Sequence, residues 1–251
     1  MKNILDMGGK VVLVTGGSRG LGRAMSLAFA EQGADIAISS RDIESCKKTA
    51  AEVEALGRRV FVYACHVGKW AELDGLVDAV YDNFGRIDVL INNAGTAPTA
   101  PSLLETSEEL FDKIISVNLK GPFRLSTLVG SRMAAGEGGS IINISSIASV
   151  RPSEQTAVYG AAKSALNTIT RAFAYEYAPK VRVNCIVCGP FHTDISKAWS
   201  RSEEFESLAK THFALQRAAE PEEIVSTALY LASDATSFTT GSLIHVDGGR
   251  K

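Results

Sequence analysis

The sequence predicts an α/β fold, a single domain built on a doubly wound parallel sheet with helices on both faces. Three observations carry that expectation. Short β-rich runs alternate with longer stretches of helical periodicity along most of the chain. The first run, Val11–Thr15, is continuously apolar up to its last residue, as expected of a parallel strand buried on both faces. It passes directly into a glycine-rich turn, Thr15–Gly22, and then into a helical pattern.

The elements follow in order. After Val11–Thr15 comes a helix from Leu21 to Gln32, then strand Asp35–Ser39, helix Ile43–Leu56, strand Val60–Cys65, helix Trp70–Phe84 and strand Val89–Asn92. A long helix is expected from Ser107 to Met133, then strand Gly139–Ser145, helix Thr156–Tyr177 and strand Val181–Val187. Leu243–Val246 reads as the last strand, before Gly248-Gly249. Right-handed crossovers then place a ligand at the carboxyl ends of the strands. Residues 191–216 break the alternation, with Trp199, Phe205 and Phe213 set among charged residues. That segment reads as a lid inserted over the sheet edge, or as a pair of surface helices with ordinary core aromatics. No linker, repeat or low-complexity stretch interrupts residues 1–251.

Composition narrows the function classes. The chain has 251 residues, 45% hydrophobic and 22% charged, which suits one soluble domain with a sizeable core. A net charge of -2 makes nucleic acid an unfavoured partner, so anionic ligands must be held by local groups. Met1–Asp6 has no apolar region of the secretory type, and no apolar run approaches the roughly 18–20 residues that span a bilayer. Cys46, Cys65, Cys185 and Cys188 are too few for a disulfide framework. The expectation is a reduced, cytoplasmic protein without a membrane partner.

In Gly16-Gly17-Ser18-Arg19-Gly20-Leu21-Gly22 the glycine spacing is G-x-x-x-G-x-G. Such a turn lets backbone approach a pyrophosphate, and the following helix N-terminus offers free N–H groups and partial positive charge. Without a ligand it would be an ordinary tight βα turn. Where the second strand ends, an NAD site wants a carboxylate for the ribose hydroxyls. This chain has Ser39-Ser40-Arg41, and a guanidinium suits a 2′-phosphate. With Arg19 on the other side, NADP (NADPH) is the expected cofactor ahead of NAD. Asp35 lies at the wrong end of the strand to reverse this.

Tyr159 and Lys163 are four residues apart, hence on one helix face. An ammonium beside a phenol favours the phenolate, which lowers the tyrosine pKa and makes it a general acid or base.

Taken together, these motifs resemble those of the short-chain dehydrogenase/reductase family in its single-domain, Rossmann-like branch. The markers run Thr15–Gly22, Asn92-Asn93-Ala94-Gly95, Asn118, Ser146, Tyr159-x-x-x-Lys163, Gly189 and Thr193, with Ser146 preceding Tyr159 by 13 residues. The resemblance implies a hydride-transferring oxidoreductase acting between nicotinamide and a ketone or secondary alcohol. Tyr159 would be the general acid/base, Ser146 would hydrogen-bond the substrate oxygen, and Lys163 would hold the nicotinamide ribose. Asn118 would position a water linking Lys163 to solvent. Asn92, Ala94 and Gly95 would line the adenosine and ribose side, and Gly189, Phe191 and Thr193 the nicotinamide side. Asp88 would be structural. The resemblance further implies a carbonyl reductase of 3-oxoacyl-carrier-protein reductase type, with sugar or polyol dehydrogenation as the alternative, and a homotetramer joined through the long helices and the last strand. A nucleotide-binding sensor without turnover is the reading from another class.

Departures sharpen the expectations. The family's adenine-binding Asp is replaced by His66, followed by Val67, so either the neutral imidazole or the Val67 backbone would serve. The family's Pro-Gly is Cys188-Gly189, which loosens a turn. Cys185-x-x-Cys188 with His192 suggests a metal or redox site. A zinc site needs about three or four ligands, and odd spacing on a strand puts the two thiols on opposite faces, so they read as buried hydrophobes and no metal is expected. His212 and His245 read as structural or surface. The substrate pocket would draw on Ala97–Pro101, Ala148–Gln155, Cys188–Thr193 and the lid, with Arg151, Gln155 and His192 as polar options. Arg124, Arg132 and Arg171 are either a docking patch for an acidic carrier or ordinary helix-surface charges.

Overall fold

The computed structural model describes residues 3–251, so the reading at Met1 and Lys2 lies outside the described residues. Seven strands, β1 (Val11–Thr15), β2 (Asp35–Ser40), β3 (Val60–Ala64), β4 (Val89–Asn92), β5 (Gly139–Ser146), β6 (Val181–Cys188) and β7 (Leu243–Val246), form one sheet in the order β3-β2-β1-β4-β5-β6-β7. Every neighbouring pair is parallel. The chain winds outward one way through β2 and β3 and the other way from β4, so the strand order reverses between β1 and β4. That switch point opens a crevice at the carboxyl edge.

Strand side chains alternate between two cores. Val12 and Val14 of β1 join Met25 and Phe29 of α1 (Gly20–Glu31) on one face, while Val11 and Leu13 join the layer of α3 (Glu72–Phe84) on the other. Helix α2 (Ile43–Ala55) completes the first layer through Cys46 and Val53. Each such side chain contributes about 1.5–3 kcal/mol by leaving water. Asp88 is structural, as expected: its carboxylate accepts from the Val11 N–H at 2.9 Å and pairs with Arg86, tying β4 to β1.

The long helix expected over 107–133 is a continuous ladder with a change of pitch. α4 (Glu108–Ile115) passes into a π turn at Ser116–Lys120 and then α5 (Gly121–Ala135). A Cβ at Gly121 would sit 2.4 Å from the Val67 carbonyl, so glycine there lets the helix touch the loop after β3. Trp70 precedes α3 rather than opening it, since its side chain stacks on Phe123 with ring centroids 6.3 Å apart. α6 (Ala157–Glu176) follows as expected.

Residues 191–216 hold one helix, α7 (Glu203–His212), after a run of turns, rather than a pair. Beyond them comes an element the sequence reading left unassigned. Glu220 and Glu223 form a capping box around a short turn at Pro221–Ile224, which leads into α8 (Val225–Ala232). Ala228, Leu229 and Leu231 of α8 pack into the first core.

Candidate active site

A cleft of about 1140 Å³ runs along the carboxyl edge of the sheet, large enough for a dinucleotide with a small substrate. Of the expected cofactor residues, Gly16, Ser18, Arg19, Gly20, Leu21, Ser40, Arg41, His66, Val67, Ala94, Gly95, Gly189, Phe191 and Thr193 line it, together with Ser146, Tyr159 and Lys163.

The glycine turn is shaped by steric demands. Gly16 and Gly20 have φ of 65° and 51°, a region that favours glycine. A Cβ at Gly22 would lie 2.2 Å from the Gly16 carbonyl, so this residue packs beneath the turn and does not line the cleft. Helix α1 begins with no side-chain cap and no acidic residue in its first turn. Its N–H groups and positive end are therefore free for an anion. A bare, close-packed turn meeting an uncapped helix fits a pyrophosphate. Asn93, which the sequence reading passed over, braces it: Nδ2 donates to the Thr15 carbonyl at 2.9 Å and to Gly16 at 3.2 Å.

At the adenosine end, Arg41 is exposed. The adjacent carboxylate, Asp42, is committed to capping α2, accepting from the Glu44 and Ser45 N–H groups and the Ser45 hydroxyl. Those bonds hold its carboxyl below the usual range. Arg19 reaches across to Asp194 at 3.6 Å, an ion pair between the glycine turn and the 191–216 segment. His66 Nδ1 accepts from the Gly68 N–H at 3.1 Å. The neutral ring then carries its proton on Nε2 and presents a donor, so the expected acceptance from the adenine amino group does not fit this geometry.

Two expected residues sit behind the cleft wall. Asn92 is buried in β4, donating to Ser126 Oγ at 3.0 Å and Asn143 Oδ1 at 2.9 Å, because its strand position points it into the second layer. The expectation that it lines the adenosine side is corrected. Asn118, in the π turn, is buried too. Its Nδ2 donates to the Thr96 and Ile114 carbonyls at 2.8 and 2.9 Å, and its Oδ1 accepts from the Thr96 N–H at 3.2 Å. A Cβ at Gly95 would meet Asn118 Oδ1 at 3.1 Å and Lys163 Nζ at 3.7 Å, so both side chains converge behind Gly95.

The reacting end joins β5 to α6. Ser146 ends β5, its Oγ accepting from the Ala148 N–H at 3.2 Å. Lys163 is 3% exposed and donates to the Ile144 carbonyl at 2.8 Å, with its ammonium 5.7 Å from the Tyr159 ring centroid. Burial pushes this amine down to about 8. Burial also pushes the Tyr159 phenol up to about 12, opposed by the neighbouring Ser146 hydroxyl. The expected lowering of the phenol by Lys163 is therefore corrected. The ammonium is turned toward the strand carbonyl, and desolvation of the phenolate dominates. Tyr159 itself is only partly buried and lines the cleft.

Other expectations resolve in detail. Cys188 packs with Ile186 on one sheet face while Cys185 Sγ reaches Asn167 on the other, as the odd spacing predicts. Cys188 pairs in register with Ser146 and Val246, and the Gly189 N–H donates to Val246 at 2.9 Å. The turn is thus held by the ladder and by Pro190, not loosened. His192 does not line the cleft; its Nδ1 meets Ser200 Oγ at 3.1 Å. His245 has an acidic partner, Asp247, at 3.3 Å. Arg124 and Arg132 pair with Asp74 and Asp78 of α3, so they are not a free basic patch.

The fold and site define an oxidoreductase of the dinucleotide-binding class, with Ser146, Tyr159 and Lys163 lining one cleft at the carboxyl edge of the sheet. A family model described as Enoyl-(Acyl carrier protein) reductase matches residues 16–251. The Short chain dehydrogenase/reductase astE of Aspergillus oryzae is 38% identical over 248 residues, covering 96% of this chain and 94% of that one. A short-chain type dehydrogenase/reductase structure from Mycobacterium marinum superposes with a TM-score of 0.91 at 32% identity, over 98% of this chain and 96% of that one. L-Sorbose reductase from Gluconobacter frateurii, complexed with NADPH and L-sorbose, gives 0.92 at 30% identity, over 99% and 98%. The chain belongs to the short-chain dehydrogenase/reductase family and is an oxidoreductase acting between CH–OH and C=O.

Proposed function

We propose that this enzyme is an NADPH-dependent reductase of ketones to secondary alcohols. The observation that carries the reading is the placement of Ser146, Tyr159 and Lys163 in one cleft with an adenosine end that offers Arg41 and no uncommitted carboxylate. When bound, the nicotinamide supplies the hydride. Ser146 Oγ donates to the carbonyl oxygen and stabilises charge growing there. Tyr159, protonated at neutral pH, delivers the proton to that oxygen. Lys163 sits behind Gly95, placed to hold the ribose hydroxyls and to return a proton toward Tyr159.

The substrate side favours an apolar ketone over a sugar. Ala97, Ile147, Ala148, Ile195, Trp199 and Phe205 line it, with Thr99, Arg151 and Gln155 among its polar groups, a lining more apolar than a polyol calls for. The NADPH complex of L-sorbose reductase supports the cofactor assignment, although its sugar does not suit this lining. A 3-oxoacyl group remains compatible with it. Four buried free thiols support a reducing, cytoplasmic setting.

The test is binding and turnover with both cofactors. NADPH should bind more tightly than NADH, and Arg41→Ala should weaken NADPH by about 10- to 100-fold, the worth of a charge-assisted contact, with NADH unmoved. Tighter binding of NADH to the unaltered enzyme would overturn the cofactor assignment. Oxidation of NADPH by neutral aryl ketones that survives Tyr159→Phe would overturn the proton-transfer assignment.

A further inference from the structure

The chain is net negative, yet its cleft is not: Arg19, Arg41, Lys113, Arg151, Lys163 and Arg250 line it against Asp42 and Asp194. Five of the cations have a place in the reading above or lie near it, Arg151 among them as a polar option of the substrate pocket. Arg19 and Arg41 flank the adenosine end, Lys163 serves the reacting end, and Lys113 is an exposed residue of α4. Arg250 has no such place. It follows Gly249, whose φ is 71°, and its backbone bridges to Phe213. Its guanidinium lies 5.0 Å above the Phe213 ring and donates to the His212 carbonyl at 3.4 Å. No carboxylate pairs with it among the described residues.

Phe213 closes a row of aromatics. Its ring lies 6.4 Å from Phe205, which lies 5.1 Å from Trp199, and all three side chains line the same cleft as Tyr159. The wall is therefore apolar along its length and ends in a cation without a counter-charge. A guanidinium over an aromatic face, with one N–H given to the His212 carbonyl, keeps its other donors for a carboxylate, and the fork geometry of arginine suits such capture.

Resting on the ketone-reductase reading, we propose that Arg250 anchors a carboxylate on the substrate, which is a keto acid with an aromatic or bulky apolar body. The ketone sits against Ser146 and Tyr159, the body lies along Trp199, Phe205 and Phe213, and the carboxylate meets Arg250. The reaction balances as carbonyl plus hydride plus one proton giving a hydroxy acid, and the carboxylate takes no part in bond making. Arg250 is thus a specificity-determining residue that acts on binding.

The test uses aryl keto acids whose carboxylate lies at increasing distance from the ketone: phenylglyoxylate, benzoylpropanoate and benzoylpentanoate, each beside its methyl ester. At least one acid should exceed its ester in kcat/KM by about tenfold or more, the worth of one charged hydrogen-bonded contact. Arg250→Gln should remove that difference through KM, with kcat and turnover of the esters unchanged. Arg250→Lys should restore part of it. NADPH affinity, read by fluorescence titration, and the melting temperature should not move, which separates loss of the anchor from misfolding or a failed cofactor site. Esters equal to or better than acids throughout, or discrimination abolished by Arg151→Gln but kept in Arg250→Gln, would overturn the assignment. If neither acids nor esters react while neutral ketones do, the reductase reading stands and the anchor falls. If no ketone reacts at all, the reductase reading fails first.

Discussion

The Lys163 ammonium, buried against the Ile144 carbonyl and beside the Tyr159 ring, is poorly placed for charge, and burial pushes it down from 10.5 to about 8. The sign for stability follows. Below about 8 the folded chain must keep the buried charge, and folding is penalised. Between about 8 and 10.5 the unfolded chain still binds a proton that the folded chain has released, so the penalty fades as pH rises. Lys163→Met should therefore stabilise the protein at neutral pH by about 2 kcal/mol, after allowing for the lost bond to Ile144, and raise the melting temperature by roughly 4–8 °C. The same variant should lose activity by about 100-fold or more. Under the roles proposed for Lys163, kcat/KM for reduction by the unaltered enzyme should hold level below about 8 and decline above it, as the ammonium is lost. A Lys163→Met protein that melts lower than the parent, or a profile flat to pH 10, would contradict this account.

At the scale of elements, the turn between β1 and α1 has no room to give. Gly22→Ala would drive a methyl against the Gly16 carbonyl, 2.2 Å away, and against Asn93 Nδ2 at 2.6 Å. Both contacts lie within the brace that shapes the turn, so α1 must shift. The expected outcome is a loss of about 1–3 kcal/mol in stability from overpacking, and NADPH binding weakened by at least about tenfold. Denaturant midpoints and fluorescence titration check each part. What was legible at this scale followed from burial. Val11–Thr15 could be read because a strand covered on both faces is continuously apolar, here up to Thr15. The π turn around Asn118 was not legible, because a one-residue change of pitch barely disturbs apolar periodicity. α8 was missed although Glu220-Pro221 and Glu223 spell its start; eight residues are too few for periodicity to stand out. Within the site, motifs placed Ser146, Tyr159 and the glycine turn. They could not show that Asn92 faces inward, that Gly68 fixes the tautomer of His66, or that Arg250 returns to the cleft from the far end of the sequence.

The whole molecule presents two separate apolar exposures. On the helical side, Phe111 of α4, Phe123 of α5 and Tyr175 of α6 are 48%, 40% and 83% exposed, with Phe123 stacked on Trp70 and packed near Phe173. At the other edge, β7 ends the sheet, and Phe238, a few residues before it in the chain, is fully exposed. Scattered apolar residues need no explanation, but aromatic clusters and an open strand edge invite partners. Two self-complementary patches, each closing about its own two-fold axis, generate a dihedral tetramer. The homotetramer that the family resemblance implies would join helix faces α4 to α6 at one interface and the β7 edge at the other. The two should be separable. Phe123→Glu places an uncompensated charge in the first interface only and should give a dimer, whereas Phe238→Glu should give a dimer of the other kind. The double variant should be monomeric. Sedimentation velocity would read the masses, and a cross-link placed at position 175 would form only in the Phe238→Glu dimer. A parent protein that sediments as a monomer at micromolar concentration would remove the tetramer. A tetramer that survives both charges would move its interfaces elsewhere on the surface.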